Sequence, residues 1–254
     1  MPITANSLFR DSVNFIRNQL SSFIMLALLA SFISYMLFQA LVPNTTELHK
    51  IITDAIGTSQ VSRSELQSVI NGMSREQQLS IVEAAMPLFG AMGLSFLLSN
   101  LLLIGGVVTL IMQVSQGHKT SALRSIGSSA AFLPMLLLLL VISLPLIFFG
   151  FSLYLLPGIF FIFVLVMAPI ILLESKQGLI HAISTSWSMA FSNVKIILPI
   201  VLFTLSVKFI LFILSVNVAA SSPVAISLLV DAISYLVTAF MFVYLFRLYM
   251  QVKG

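Results

Sequence analysis

Residues 125 to 173, SIGSSAAFLPMLLLLLVISLPLIFFGFSLYLLPGIFFIFVLVMAPIILL, contain no Asp, Glu, Lys or Arg. As one helix rising about 1.5 Å per residue, this run of about 49 residues would be about 73 Å long, and a bilayer core is about 30 Å thick. The run must therefore fold back on itself. Gly150 and the Pro157-Gly158 pair are its natural breakers, which predicts one span over 130–149 and a second over 152–173, joined by a tight turn.

The same ruler applies outward. No charge occurs from Asn18 to Thr46, and 21–42 is long enough to cross once. The spacing of charges predicts further spans over 86–112, 196–218 and 226–249, with Ser221-Ser222-Pro223 turning the last pair. Of 254 residues, 59% are hydrophobic and 8% charged, whereas a soluble domain carries about 25% charged residues. The fold expected is all-α: one membrane domain over 1–254, with six transmembrane helices as three hairpins. The first span lacks a small-x-small cleavage site and is read as retained.

Residues 43–84 form the one sizeable polar segment, with Glu47, Lys50, Asp54, Arg63, Glu65, Arg75, Glu76 and Glu83. Within it Ser62-x-x-Glu65 and Ser74-x-x-Gln77 fit the capping box of a helix start. One face of the predicted topology collects Arg10, Arg17, Lys119, Arg124, Lys176, Lys195, Arg247 and Lys253, while the other has Lys50, Arg63 and Arg75. By the positive-inside rule both termini are expected in the cytoplasm and 43–84 in the periplasm.

Amphipathic lead-ins precede the outward-going spans. Phe9, Val13, Ile16 and Leu20 recur at helical spacing opposite Arg10, Asp11, Asn14, Arg17 and Asn18; Ile180, Ile183, Trp187, Ala190 and Val194 repeat the pattern opposite His181, Ser184 and Ser188. A shorter version occupies 120–127. Two explanations stand: three related hairpins, each with a cytoplasmic helix lying along the membrane, or the general tendency of a chain entering a bilayer to be amphipathic.

Lys208 and Asp231 are the charges expected inside spans, where ionisable groups are costly and pair or line hydrated sites. Their midpoint falls at the turn between the fifth and sixth spans, so an antiparallel hairpin places them at similar depth. A Lys208–Asp231 ion pair is expected if the side chains face one another, as a structural staple or as part of a proton or ion pathway; snorkelling or separate partners are the other possibilities. Asn100 is expected to hydrogen-bond to a neighbouring helix, and Gly90, Gly93, Gly105 and Gly106 to allow close helix approach.

The net charge of +4 is thinly spread beside apolar segments, which argues against nucleic acid. The chain has no cysteine, and His49, His118 and His181 lie in three separate segments with no His-x-x-x-His spacing. No metal and no cofactor is expected. No Gly-x-Ser-x-Gly, phosphate loop or dinucleotide fingerprint occurs, so nothing points to an enzyme.

The opening Pro2-Ile-Thr-Ala-Asn-Ser-Leu-Phe-Arg-Asp11, the segment Thr120-Ser-Ala-Leu-Arg-Ser-Ile-Gly127 and the ending Tyr244-Leu-Phe-Arg-Leu-Tyr-Met250 carry a resemblance, along nearly the whole length, to the YciC family of uncharacterised enterobacterial inner-membrane proteins. It implies a multi-pass inner-membrane protein. Leu156-Pro-Gly-Ile159, Ala168-Pro-Ile-Ile171 and Glu174-Ser-Lys-Gln-Gly-Leu-Ile-His-Ala-Ile183 are loosely similar to membrane domains attached to some glycerophosphodiester phosphodiesterases, a likeness that carries over no active site. The reading is a non-enzymatic inner-membrane protein with an envelope, lipid-interacting or partner-binding role, its partners being membrane lipids and envelope proteins. The alternative is a small transporter or channel lined by Lys208 and Asp231.

Overall fold

The computed structural model describes residues 4–42, 46, 50, 53, 71–219 and 224–253, the side chains of 216–219 excepted. The Ser62-x-x-Glu65 box, His49, Glu47, Asp54, Arg63 and the Ser221-Ser222-Pro223 turn lie outside them. The main described elements are helical: α1 (Ala5–Asn18), α2 (Leu20–Leu41), α3 (Arg75–Ser115), α4 (Ala122–Ser129), a 3₁₀ turn (Ala130–Phe132), α5 (Leu133–Leu153), α6 (Leu155–Leu165), α7 (Ala168–Ser175), α8 (Leu179–Ser192), α9 (Val194–Ala219) and α10 (Val224–Lys253). Among the described residues six helical stretches are long and apolar enough to cross a membrane: Leu20–Leu41, Arg75–Ser115, Ala122–Leu153, Leu155–Ser175, Val194–Ser215 and Val224–Lys253.

Their ends have local causes. Thr4 caps α1 and Ser121 caps α4, each hydroxyl accepting from a backbone amide three residues on, which satisfies one of the donors a helix start leaves free. The box at Ser74 is formed: the Gln77 amide donates to Ser74 Oγ at 3.2 Å, and the Ser74 amide donates to Gln77 Oε1 at 3.0 Å. With its start defined there, α3 reaches back to Arg75, well before the span expected from 86. Lys176, left-handed at φ 57°, ends α7, and Gly178 at φ 91° opens α8.

The long uncharged run folds back, but at a different residue. The helix breaks at Tyr154, which is fully extended (φ −165°, ψ 167°). Gly150 and Gly158 lie inside α5 and α6, where the two backbones meet. A Cβ at Gly150 would stand 2.8 Å from the Gly158 nitrogen and 2.9 Å from its Cα, and one at Gly158 would overlap the Phe151 ring. Both glycines serve helix approach, as small residues commonly do between membrane helices.

The chain divides into two compact units, Met1–Phe32 with Ser99–Gly254, and Ile33–Leu98. In the smaller, the Ser95 hydroxyl donates to the Ala91 carbonyl at 2.7 Å. In the larger, α5 packs on α6, α9 on α10, α1 on α10, and α8 on α6 and α7. Its core is densest in α7 and the second half of α10, where Ile170, Leu173, Val243 and Leu245 are fully buried. Asp11 Oδ2 lies 3.5 Å from Arg247 Nε and Glu174 Oε1 lies 2.7 Å from Lys253 Nζ, so α1, the end of α7 and the end of α10 meet at one end of this unit.

Candidate functional site

Lys208 and Asp231 test how much of a membrane site can be placed by counting. The Tyr244 hydroxyl of α10 donates to the Ile196 carbonyl of α9 at 3.5 Å. That contact links the second half of α10 to the start of α9. The expected Lys208–Asp231 ion pair is not formed. The two ion pairs that the described residues make with one another are Asp11–Arg247 and Glu174–Lys253, and no Lys208–Asp231 contact lies within 4 Å.

Rotation about the helix axes separates the two charges. Lys208 continues the buried stripe Ile197, Val201, Thr204 of α9 and is half-buried, whereas on α10 Ala232 is buried and Asp231 beside it is exposed. Adjacent helical residues point about 100° apart. Asn100 is buried on α3 and has an interaction partner. Two buried hydroxyls, Thr109 Oγ1 and Thr204 Oγ1, have no hydrogen-bond partner, and Thr204 stands one turn from Lys208 on the same face of α9.

The three lead-in helices share a register that apolar spacing alone did not reveal. Their N-caps are Thr4, Ser121 and Gly178. Four residues on come the buried Leu8, Ser125 and Ala182; eight on come Ser12, Ser129 and Ser186, each fully buried. At eleven on, Phe15 and Met189 are buried and Phe132 is half-buried. The first and third lead-ins then kink at matching residues, Gln19 (φ −119°, ψ 24°) and Asn193 (φ −125°, ψ 33°), whose amides each donate to two preceding carbonyls. The second passes instead through the 3₁₀ turn.

Small buried residues let these helices dock closely. A Cβ at Gly105 would stand 3.0 Å from Ser129 Oγ, and one at Gly106 would stand 3.0 Å from Ile126 and Leu26, whereas Gly90 and Gly93 have nothing within 4 Å. The Ser186 hydroxyl donates to the Val164 carbonyl of α6 at 2.6 Å. That carbonyl is in the last turn of α6, where a helix leaves its carbonyls without partners of its own. Ser186→Ala should therefore lower the stability of the detergent-solubilised protein by about 1–3 kcal/mol, the cost of stranding a buried acceptor. Ser12→Ala should cost less, since the Ser12 hydroxyl bonds to Leu8 within its own helix. Thermal unfolding of both variants checks the ordering.

Docking through small residues leaves the bulky ones outward. The apolar face of α1 is largely exposed, Phe9 and Val13 included, as is Leu20 at the start of α2, and on α8 Ile180 (83% exposed), Trp187 (43%) and Phe191 (50%) are exposed too. Trp187 stacks edge-on against Phe160 at 5.5 Å. A cleft of about 380 Å³, lined by Phe151, Leu155, Ile159, Leu202, Leu205, Ser206 and Phe209, opens between α5–α6 and α9. No group of three or more His, Cys, Asp or Glu suited to a metal occurs among the described residues.

A family model described as an uncharacterised protein family, UPF0259, matches residues 1–251. A UPF0259 membrane protein of Serratia proteamaculans (strain 568) is 41% identical over 255 residues, with all of both chains covered. One of Yersinia pestis (strain Pestoides F) is 36% identical over 254 residues, covering all of this chain and 97% of its own. No solved structure matches the chain.

Proposed function

The chain belongs to the uncharacterised UPF0259 family of membrane proteins, which includes YciC, and from that premise we propose that it is a non-enzymatic protein of the bacterial inner membrane that acts through the lipids at its cytoplasmic face. Its six spans form three hairpins, with both termini cytoplasmic and 43–84 periplasmic. The observation that carries this reading is the outward apolar face of the lead-in helices: Phe9 and Val13 on one, continued by Leu20 at the start of α2, and Ile180, Trp187 and Phe191 on another. An apolar strip beside Arg10, Arg17 and Lys195 suits the boundary between headgroups and acyl chains. Envelope proteins are further partners on this reading.

Trp187 is the one tryptophan of the chain, so its fluorescence reports the site directly. In proteoliposomes, lipids brominated high on the acyl chain should quench it more than lipids brominated near the terminal methyl. Stronger quenching by the deep label, or none by either, would count against an interfacial lead-in.

A second reading, a small transporter or channel, draws on Lys208 and the partnerless Thr204 hydroxyl on one face of α9. Solute or ion flux in proteoliposomes that Lys208→Met abolishes would favour it over a lipid role.

A further inference from the structure

The turn of the middle hairpin stands close to α8 and well short of the end of α9. On α6, Phe160 stacks edge-on against Trp187 of α8, the Phe163 and Phe191 rings meet edge-on at 6.0 Å, and the Val164 carbonyl accepts from Ser186. These residues are six to ten positions from the turn at Tyr154, about 9–15 Å along the helix. α9 gives a second ruler. Phe151, Leu155 and Ile159, around the turn, share a cleft with Leu202, Leu205, Ser206 and Phe209, which lie eight to fifteen residues from the start of α9 at Val194, about 12–22 Å. Beyond Phe209, α9 continues for ten residues to Ala219, about 15 Å more. The contact of Gly150 with Gly158 places the start of α5 beside α7, where Leu136 and Leu139 are buried, so the first half of α5 lies farther from the turn than the α8 contacts do.

We propose that α5 and α6 form a re-entrant hairpin, entering and leaving through the cytoplasmic face, with the turn held among acyl chains near mid-membrane. The proposal rests on the reading above for an α8 that lies in the cytoplasmic interface, and it changes the middle hairpin alone: two of the six candidate spans turn back inside the bilayer, and both termini stay cytoplasmic. With the exposed Lys195 marking the interface at the start of α9, a turn about 12–22 Å from it stays inside a core about 30 Å thick. The turn suits hydrocarbon. Residues 148–158 carry no charge, and Phe148, Phe149, Tyr154, Leu155 and Leu156 are exposed. Backbone groups left open to lipid are costly, and three features limit their number. The Ser152 hydroxyl donates to the Phe149 carbonyl at 2.8 Å, the Tyr154 amide donates to the Gly150 carbonyl at 3.2 Å, and Pro157 in the first turn of α6 has no N–H. A hairpin of this depth takes up area mainly in the cytoplasmic leaflet, so its partners are the acyl chains of that leaflet.

The single tryptophan can be moved to the turn by combining Trp187→Phe with Tyr154→Trp. In proteoliposomes, lipids brominated near the terminal methyl should quench this probe several-fold more than lipids brominated high on the chain, the reverse of the order expected for Trp187 in the parent protein. If both probes are quenched more by the shallow label, the re-entrant hairpin is overturned and the interfacial α8 stands. A Trp187 quenched more by the deep label removes the interfacial α8, and the hairpin with it. A second arm uses the absence of cysteine from the chain, which leaves thiol labelling without a background. A membrane-impermeant maleimide added to spheroplasts should modify Gly72→Cys and leave Tyr154→Cys untouched. Added to inverted membranes, it should modify Lys119→Cys and again leave Tyr154→Cys untouched until detergent exposes the thiol. Labelling of Tyr154→Cys in spheroplasts at the rate of Gly72→Cys shows a hairpin that crosses the membrane, and refutes the proposal.

Discussion

Gly150→Ala is expected to lower the thermal midpoint of the solubilised protein markedly, and Gly150→Leu to abolish folded, membrane-inserted protein. By helix propensity alone alanine should stabilise α5 by about 1 kcal/mol. The contact decides otherwise. A methyl at Gly150 would press at 2.8 and 2.9 Å on the backbone nitrogen and Cα of Gly158, and a backbone cannot rotate aside as a side chain can. Overpacking of this kind costs about 1–3 kcal/mol even where side chains absorb it, so the net sign is destabilising. Gly158→Ala should also destabilise, less severely, because its obstacle is the Phe151 ring. Gly127, with nothing within 4 Å, is the control: Gly127→Ala should be neutral or slightly stabilising. Equal midpoints for Gly150→Ala and Gly127→Ala would remove the close approach of α5 and α6 from the account.

The same two glycines mark where the sequence was legible and where it was not. That the uncharged run must turn back follows from the thickness of a bilayer, and the turn lies within a few residues of the breakers. Its residue is Tyr154 because a glycine in a membrane helix is tolerated, and is useful wherever a second helix comes close. Facing was not legible for Lys208 and Asp231, because a shift of one residue swings a side chain by about 100°, and Asp231 stands one residue from the buried Ala232.

The apolar spacing of the lead-in helices was read as a face lying along the membrane, and Phe9, Val13 and Ile180 are exposed. What that spacing did not reveal is which residues face protein. Hydrocarbon solvates Phe and Ile as well as a core does. Close packing then favours small residues inward, and Ser12, Ser129 and Ser186 take those places. The usable signal was a serine eight residues after each N-cap, visible in the sequence once the caps are aligned. Its recurrence in three helices, with the matched kinks at Gln19 and Asn193, favours related units over a chance of composition.

Phe15, like Leu8 and Met189, departs from that small-residue pattern, and its loss should be among the most damaging changes outside the glycines. The ring is 8% exposed, sits edge-on to Phe23 with centroids 6.1 Å apart, and lies 4.7 Å from the Arg247 guanidinium carbon. Phe15→Ala removes a buried aromatic, a change costing about 3–5 kcal/mol in protein cores, together with a cation–π contact of about 0.5–2 kcal/mol. Arg247 has few alternatives: its buried Nε makes no hydrogen bond, and Asp11 stands at 3.5 Å. The thermal midpoint should fall by roughly 10–20 °C, and amide exchange should rise first in α1 and the last turns of α10. Val13→Ala, on the exposed side of α1, should leave the midpoint nearly unchanged while weakening attachment of α1 to lipid. The pair of variants separates the two jobs of this helix, because Phe15 holds it to α10 and Val13 faces outward. If Val13→Ala proved the more destabilising, the helix would be held by its outer face, and the inward serine register could not be what docks it.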